Sequence, residues 1–491
     1  MRNFSLLKFL ALLLMAVCSA TLSMAQNVAK IGTKEFATLE DAVNSVAQGG
    51  KGYISILADA SFNNLSIDGK QITINLQTHT VKGYSIAVNG VDGVKDTHLT
   101  ICDSKAKGLS VDKTNNYKVS YTTSGTLELT GSIRAYKGAG INVESGTVVS
   151  TKNVALFAVG DETGQKDIAS YVKITGGYVK AQEFGASPQG RGASVTVDVA
   201  DSRGATVVES LDNAAIAGNG TNTPERKLGR TSITISGKCW LIGRIQSQGY
   251  AACGIYHPQY GTLTIKYSAG IPNIVAVNGA GIVMRGGTLD YRAGNIIATG
   301  DANFVGKVGD SRVVVGTSGI VYDRDCGYYD AANAKITIPS SGEKKVVGAK
   351  AAIQVINDKA QDISGVFDVQ GGNFSSDVSA YVNTKEREVF EHEGTYYVGK
   401  FKAQVVGGLK YETALTAINK APAGSTVKLL KDCSESGRAP EVTKNVTLDL
   451  NGKNLTFSYI TVSKGGNLTI KDSGNGGTCT YLLYTSPSPR D

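Results

Sequence analysis

Residues 254–265 read GIYHPQYGTLTI and hold His257, one of four histidines in a chain of 491 residues, set beside a proline and between two tyrosines. An imidazole in such company is a candidate general acid or base, but it needs an orienting carboxylate or a partner nucleophile within reach. No Asp or Glu stands between Arg244 and Leu289, so any partner has to come from a distant turn of the chain. The competing reading makes Tyr256 and His257 the cover of a corner. Pro258 cannot donate a ladder hydrogen bond, and Gly261 closes the turn just before the run TLTI. We adopt the corner reading.

The densest acidic stretch is Asp323-Arg324-Asp325, with Asp330 beyond it. On a strand Asp323 and Asp325 would share one face and could hold a hard cation. No neighbouring repeat supplies a second such pair, and a solvated loop is the reading adopted. Tyr328-Tyr329 and Tyr396-Tyr397 could offer stacking faces to sugar rings, one member of each pair facing outward on a strand. Tyrosine also simply suits strands, and that reading is preferred. Past the first 25 residues, Cys102, Cys239, Cys253, Cys326, Cys433 and Cys479 include no CxxC pair and lie far apart, which indicates neither a zinc site nor a small disulfide scaffold. Cys239 and Cys253 could bridge neighbouring layers or remain buried thiols. The sequence thus assigns no catalytic, cofactor-binding or metal-ligating residue.

The elements that must position these side chains are read from composition. With 59 glycines, 9 prolines, 22 tyrosines, one tryptophan and 19% charged residues, the chain has the profile of a long all-β protein rich in turns. Residues 1–25 run from Arg2 and Lys8 through FLALLLMAVCSA to Ser23-Met24-Ala25, the pattern of a secretory signal peptide cleaved near Ala25. A lipoprotein site at Cys18 is disfavoured by the bulky Val17 before it. No later run reaches the roughly 18 apolar residues of a membrane span. Formal charge is +8, and loss of Arg2 and Lys8 with the leader leaves about +6, dispersed along the chain. That excess suits acidic glycans; without a basic run interleaved with aromatics it does not suggest nucleic acid.

From about Gly52 to Gly399, runs such as YISIL, QITINL, GTLELTG, ASVTVDVA, TSITISG and GTLTI recur between glycine turns. Each alternates polar with aliphatic residues, the period of a strand with one buried face. A spacing in the twenties, as from Gly125 to Gly146 or Gly261 to Gly287, marks a solenoid. The LxxLxLxxN frame of a leucine-rich repeat and the period of helical repeats are both missing, which leaves a right-handed parallel β-helix of roughly 14–17 turns, a rod of about 70 Å. Its open ends need covering. Thr38 as N-cap, Asp41 in the capping-box position and Leu39, Ala42, Val43 and Val46 on one face predict a short helix that lids the first turn. FATLEDAVNSV followed by YISILADA, ITINLQTHTV and LTICDS is matched in order and spacing by YETALTAINKAP followed by STVKLLKD, VTLDLNGKNL and LTIKDSGNGG. The organisation expected is a leader at 1–25, a β-helix module at 26–400 and a truncated second module at 401–481. Residues 482–491, LLYTSPSPRD, leave the pattern, resemble a translated sequencing adapter and are expected to be a non-native tail.

Phe36, Thr38, Leu39, Ala42 and Val43 fit the short helix, aromatic-x-T-[IL]-x-x-A-[VI], that precedes the first strand in the pectin lyase-like superfamily, which the chain resembles. DNAAIAGNGTNT, GIYHPQYGTLTI and GGNFSSDVSAYV are similar to stretches of uncharacterised, adhesin-like exported repeat proteins of gut Bacteroidetes. The resemblance implies the architecture more than an activity. The NTD, DD, GHG and RIK segments of polygalacturonase-like hydrolases do not occur. Asp201, Arg203, Glu209 and Asp212 supply the residue types of the methylesterase-like set without its local sequence, and ordinary surface charge is the reading adopted. The function expected is a non-catalytic, secreted or surface-held monomer that binds glycan or a host or cell-surface protein, with no cofactor. A polysaccharide lyase or carbohydrate esterase is the alternative, to be recognised by three carboxylates, or Asp, Arg and Tyr, gathered in an open groove.

Overall fold

The computed structural model describes residues 26–199, 205–218, 231–245, 249–257, 260–308, 313–326, 331–435 and 441–481. The leader with Cys18, Asp201, Arg203, Pro258, Tyr328, Tyr329, Asp330 and the tail 482–491 lie outside the described residues.

Short strands follow one another in a fixed rotation through three sheets. Lys51–Ile56 belongs to the first sheet, Ala60–Ser61 to the second and Asn64–Asp68 to the third; Gln71–Asn75 then returns to the first, hydrogen-bonded in parallel to Lys51–Ile56. Among the described residues, repetition of this circuit builds a parallel β-helix with sheets of thirteen, thirteen and ten strands. In each of the two larger sheets the last two strands are an antiparallel hairpin at one end, so eleven coils are stacked. The rod is therefore about 50 Å long, shorter than the periodicity predicts, because coil length is uneven. The coil that carries Leu99 over to Ile141 contains an inserted hairpin, Lys107–Asp112 with Lys118–Thr123. A second insertion, Val305–Val308 with Val313–Gly316, lengthens the coil between Leu289 and Ile336.

Alternation along each strand explains the inside. Ile74, Ile101, Val143, Ile174, Val197, Ile235 and Ile265 are register partners in one column of the first sheet, and each is fully buried. Branched side chains stacked at the strand spacing have few rotamers to lose, and each buried one contributes about 1.5–3 kcal/mol. Where a column admits no side chain the sequence has glycine. Gly52 occupies the position of Ile72 and Leu99 in its column, and a Cβ on it would lie 2.6 Å from Val46 Cγ2, because the lid helix packs there.

That helix, α1, spans Leu39–Asn44. Thr38 Oγ1 accepts from the Asp41 N–H at 3.0 Å and its hydroxyl donates to the Asp41 carboxylate at 2.7 Å, so the capping box closes through the hydroxyl. Leu39, Ala42, Val43 and Val46 are buried as the spacing predicts. The hairpin Ala29–Ile31 with Lys34–Phe36 covers the adjacent edge of the first sheet, and Glu388–His392 with Thr395–Gly399 covers the far edge of the second. Residues 403–481 repeat the opening order: hairpin Ala403–Val405 with Lys410–Tyr411, helix α2 at Ala414–Lys420 capped by Thr413, and parallel strands Ser425–Leu429, Asn445–Asp449 and Asn467–Lys471 over a separate apolar core. Glu435 adds to this cap, its carboxylate accepting from the N–H groups of Ala414 and Leu415. No helix among the described residues is long and apolar enough to cross a membrane.

Leu39→Ala removes the centre of the lid and is expected to lower stability by about 2–5 kcal/mol, read from the chemical denaturation midpoint. An unchanged midpoint would show that the helix does not close the core.

Candidate functional site

Three places gather polar side chains: a corner around His257, a patch under the inserted hairpin, and the outer face of the first sheet. Strand Ala252–His257 ends the third sheet's share of its coil, and Gly261–Lys266 opens the first sheet's share. His257 sits between them, fully buried. Its Nε2 lies 3.2 Å from the Gly261 carbonyl oxygen, which can only accept, so Nε2 carries the proton. Nδ1 has no hydrogen-bond partner among the described residues, and burial pulls the imidazole below its ordinary 6.5, to about 4. Among the described residues no carboxylate orients the ring, and these contacts place it at a corner between two strands.

A carboxylate does arrive from a distant coil, beside Tyr256 rather than His257. Arg285 Nη1 donates to Tyr256 Oη and Nε to Asp323 Oδ2, each at 3.0 Å. Tyr256, Val283 and Val321 are register partners on three successive coils, which is what brings together the residues that follow them. Arg285 and Asp323 are each 3% exposed. Burial pushes the Asp323 carboxyl up against the pull of Arg285. The shared-face reading of Asp323-Arg324-Asp325 is corrected here, and the solvated-loop reading is corrected at Asp323. The strand stops at Asp323, and a 3-10 turn, Arg324–Cys326, sends Asp325 away, to accept from the Asp358 and Lys359 N–H groups and from Gln361 Nε2. The two carboxylates share no face, and Asp323 is not solvated. Among the described residues no three His, Cys, Asp or Glu side chains gather as a metal-ion site would require.

Glu209 is likewise no surface charge. It is 4% exposed on the second sheet, where one carboxylate oxygen accepts from Tyr178 Oη and the other from Arg244 Nε. Burial first, then Glu209, drives the Tyr178 hydroxyl far above the ordinary tyrosine range. Arg244 then donates to the backbone oxygens of Asn116 at 2.8 Å and Tyr117 at 2.7 Å, latching the inserted hairpin onto the sheet. Beneath the hairpin, Leu109, Val111, Tyr117 and Val119 cover an outward apolar patch of Val207, Trp240, Ile242 and Val275. Sequence reasoning missed this element. Its signal was present: alternation on both sides of Asn115-Asn116, with Asn116 and Tyr117 in the left-handed region at φ 49 and 55.

The third place faces solvent. Ser194, Ser232, Thr262 and Thr288 form one outward column of the first sheet, and Thr196, Thr234, Thr264 and Asp290 form the next. Hydroxyls repeat about 4.8 Å apart along the rod and about 7 Å apart across it. At the rim a groove of about 480 Å³ is lined by Thr231, Ser232, Tyr260, Gly261, Thr262, Gly287, Thr288 and Asn333. Gly287 (φ +64) keeps its floor bare, since a Cβ there would lie 2.6 Å from the Gly261 oxygen and 2.8 Å from His257 Nε2. His257 is therefore the buttress beneath the groove. Of the other candidates, Tyr396 packs against the core while Tyr397 lies beside Phe390, ring centroids 6.4 Å apart, and Cys239 and Cys253 are buried free thiols.

No family model matches the chain, and no curated protein matches it in sequence.

Two stability measurements follow. Asp323→Ala removes the carboxylate that faces the Arg285 guanidinium in a closed corner and is expected to destabilise by about 3–5 kcal/mol; a loss below about 1 kcal/mol would mean the pair is hydrated. For His257 the unfolded chain takes up its proton first as pH falls, so its contribution is complete above about 6.5 and is lost on the way down to about 4. His257→Leu should flatten that part of the stability profile by about 3 kcal/mol, and equal acid sensitivity in both proteins would assign the loss elsewhere.

Proposed function

We propose that the chain is a non-catalytic rod, exported and displayed at the cell surface, that binds an extended glycan along the outer face of its first sheet. The observation that carries this reading is the pair of outward hydroxyl columns leading to the Tyr260 groove. A polymer with a regular repeat meets the same donors and acceptors on successive coils, and a rigid array loses little entropy on binding. Tyr260 adds a flat apolar surface of the kind that sugar rings stack on. The resemblance to pectin lyase-like and adhesin-like repeat proteins supports the same reading, as does the leader-like start of the chain.

A second reading has one observation in its favour. Tyr256, Arg285 and Asp323 are hydrogen-bonded together, the residue types that an ester-cleaving or lyase site would require. Their mutual bonds and near-complete burial argue for a structural role.

The Thr262→Val/Thr264→Val double substitution keeps β-branched shape and removes two outward hydroxyls. It should lower the affinity for any glycan found by array screening roughly tenfold at unchanged melting temperature, two hydrogen bonds being worth about 0.5–1.5 kcal/mol each. Unaltered affinity would move the site off this face. Release of reducing ends or unsaturated products by the wild-type protein, abolished by Asp323→Asn, would replace the binding reading with the enzymatic one.

A further inference from the structure

Past the 107–123 hairpin, the outer face of the second sheet carries a polar strip of its own, on a different sheet from the hydroxyl columns. Strands Gly294–Thr299, Lys344–Gly348 and Gly372–Phe374 are stacked in parallel there, and Thr395–Gly399 pairs antiparallel with the last of them. Ile296, Val346 and Phe374 are buried and point inward, so alternation turns their neighbours Asn295, Lys345 and Asn373 outward. These three are register partners in one column. The column continues into an aromatic ring. Phe374 pairs with Tyr396, which packs against the core, and Asn373 pairs with Tyr397, which therefore shares its outer face. Tyr397 is half-buried, with Phe390 as its next register partner. Asn295, Lys345 and Asn373 also line a cavity of about 430 Å³ together with Glu343. Among the described residues, no ion pair or side-chain hydrogen bond takes up Glu343, Lys345 or Asn373. The remaining charge of the lining, Lys344, is buried, and its ammonium donates to the Ser341 and Gly342 carbonyls. One carboxylate, one ammonium and two amides thus stand beside one ring.

We propose that this strip binds a short neutral oligosaccharide, one ring resting on Tyr397 and the hydroxyls of the others exchanging hydrogen bonds with Asn373, Lys345, Glu343 and Asn295. Three strand spacings separate Asn295 from Tyr397, about 14 Å, which a single ring cannot span. Hydroxyls donate and accept, so a neutral sugar uses Glu343 and Lys345 alike, whereas a uronate that gains from Lys345 meets repulsion from Glu343. The inference is independent of glycan binding on the first sheet.

The full chain is titrated by calorimetry with cellotriose, maltotriose and tri-N-acetylchitotriose, and with trigalacturonate as the acidic control. At least one neutral trisaccharide should bind saturably in the millimolar range or below, about fivefold or more tighter than trigalacturonate and with little dependence on salt. Tyr397→Ala should lower that affinity about tenfold, and Tyr397→Phe should retain it. Asn373→Ala, which removes an outward amide, should lower it about threefold at unchanged melting temperature. Thr262→Val/Thr264→Val should leave it unaltered, which separates this strip from the first sheet. No saturable binding of the neutral probes, wild-type affinity in both Tyr397→Ala and Asn373→Ala, or equal affinity for trigalacturonate would overturn the proposal.

Discussion

Everything in this molecule depends on the register between successive coils. In a parallel ladder each inward side chain rests on the residue at the same position of the coil before it, so a slip of one residue would turn a whole column of Ile and Val out to solvent. That penalty recurs at every strand, and it holds the polar columns on the outside as firmly as the aliphatic ones inside. Variation is confined to the corners. An extra loop or hairpin there adds closure entropy that grows only slowly with length, which is why the 107–123 hairpin is tolerated without disturbing the stack.

The same register places charges where their neighbours are distant in sequence. Arg285 reaches Asp323, and Arg244 reaches Glu209, because stacked coils bring the ends of their strands together. Buried ion pairs of this kind are weak sources of net stability, since desolvation offsets the Coulomb attraction. What they add is direction. Arg244 hands its remaining donors to the hairpin backbone, so the element that shields the outward apolar patch of the second sheet is fixed in one position. The cluster at Arg285 ties the third sheet to the turn that leads into the groove.

Much of the fold was legible in the residues. Alternation located most of the strands, and Thr38 with Leu39, Ala42, Val43 and Val46 located the lid to the residue. The coil count was not, because a period averaged over glycine turns takes no account of insertions such as 107–123. The site was legible only in part. His257 as a corner residue follows from Pro258 and Gly261, yet its position under the groove floor depends on Gly287, one coil away. Glu209 and Asp323 look like surface charges in a one-dimensional string, since nothing local to either announces its arginine.

What the sequence by itself determined is the strand period, the inward aliphatic columns and the capped helix, all of which rest on interactions within a few residues or on simple alternation. Tertiary structure decided which residues of different coils became neighbours: the Ser and Thr hydroxyls aligned into columns, Arg285 on Asp323, and Arg244 on Glu209. The physical reason is that coil length varies freely at the corners, so the sequence separation of stacked residues carries no fixed period, and only the closed ladder of hydrogen bonds settles which side chains meet.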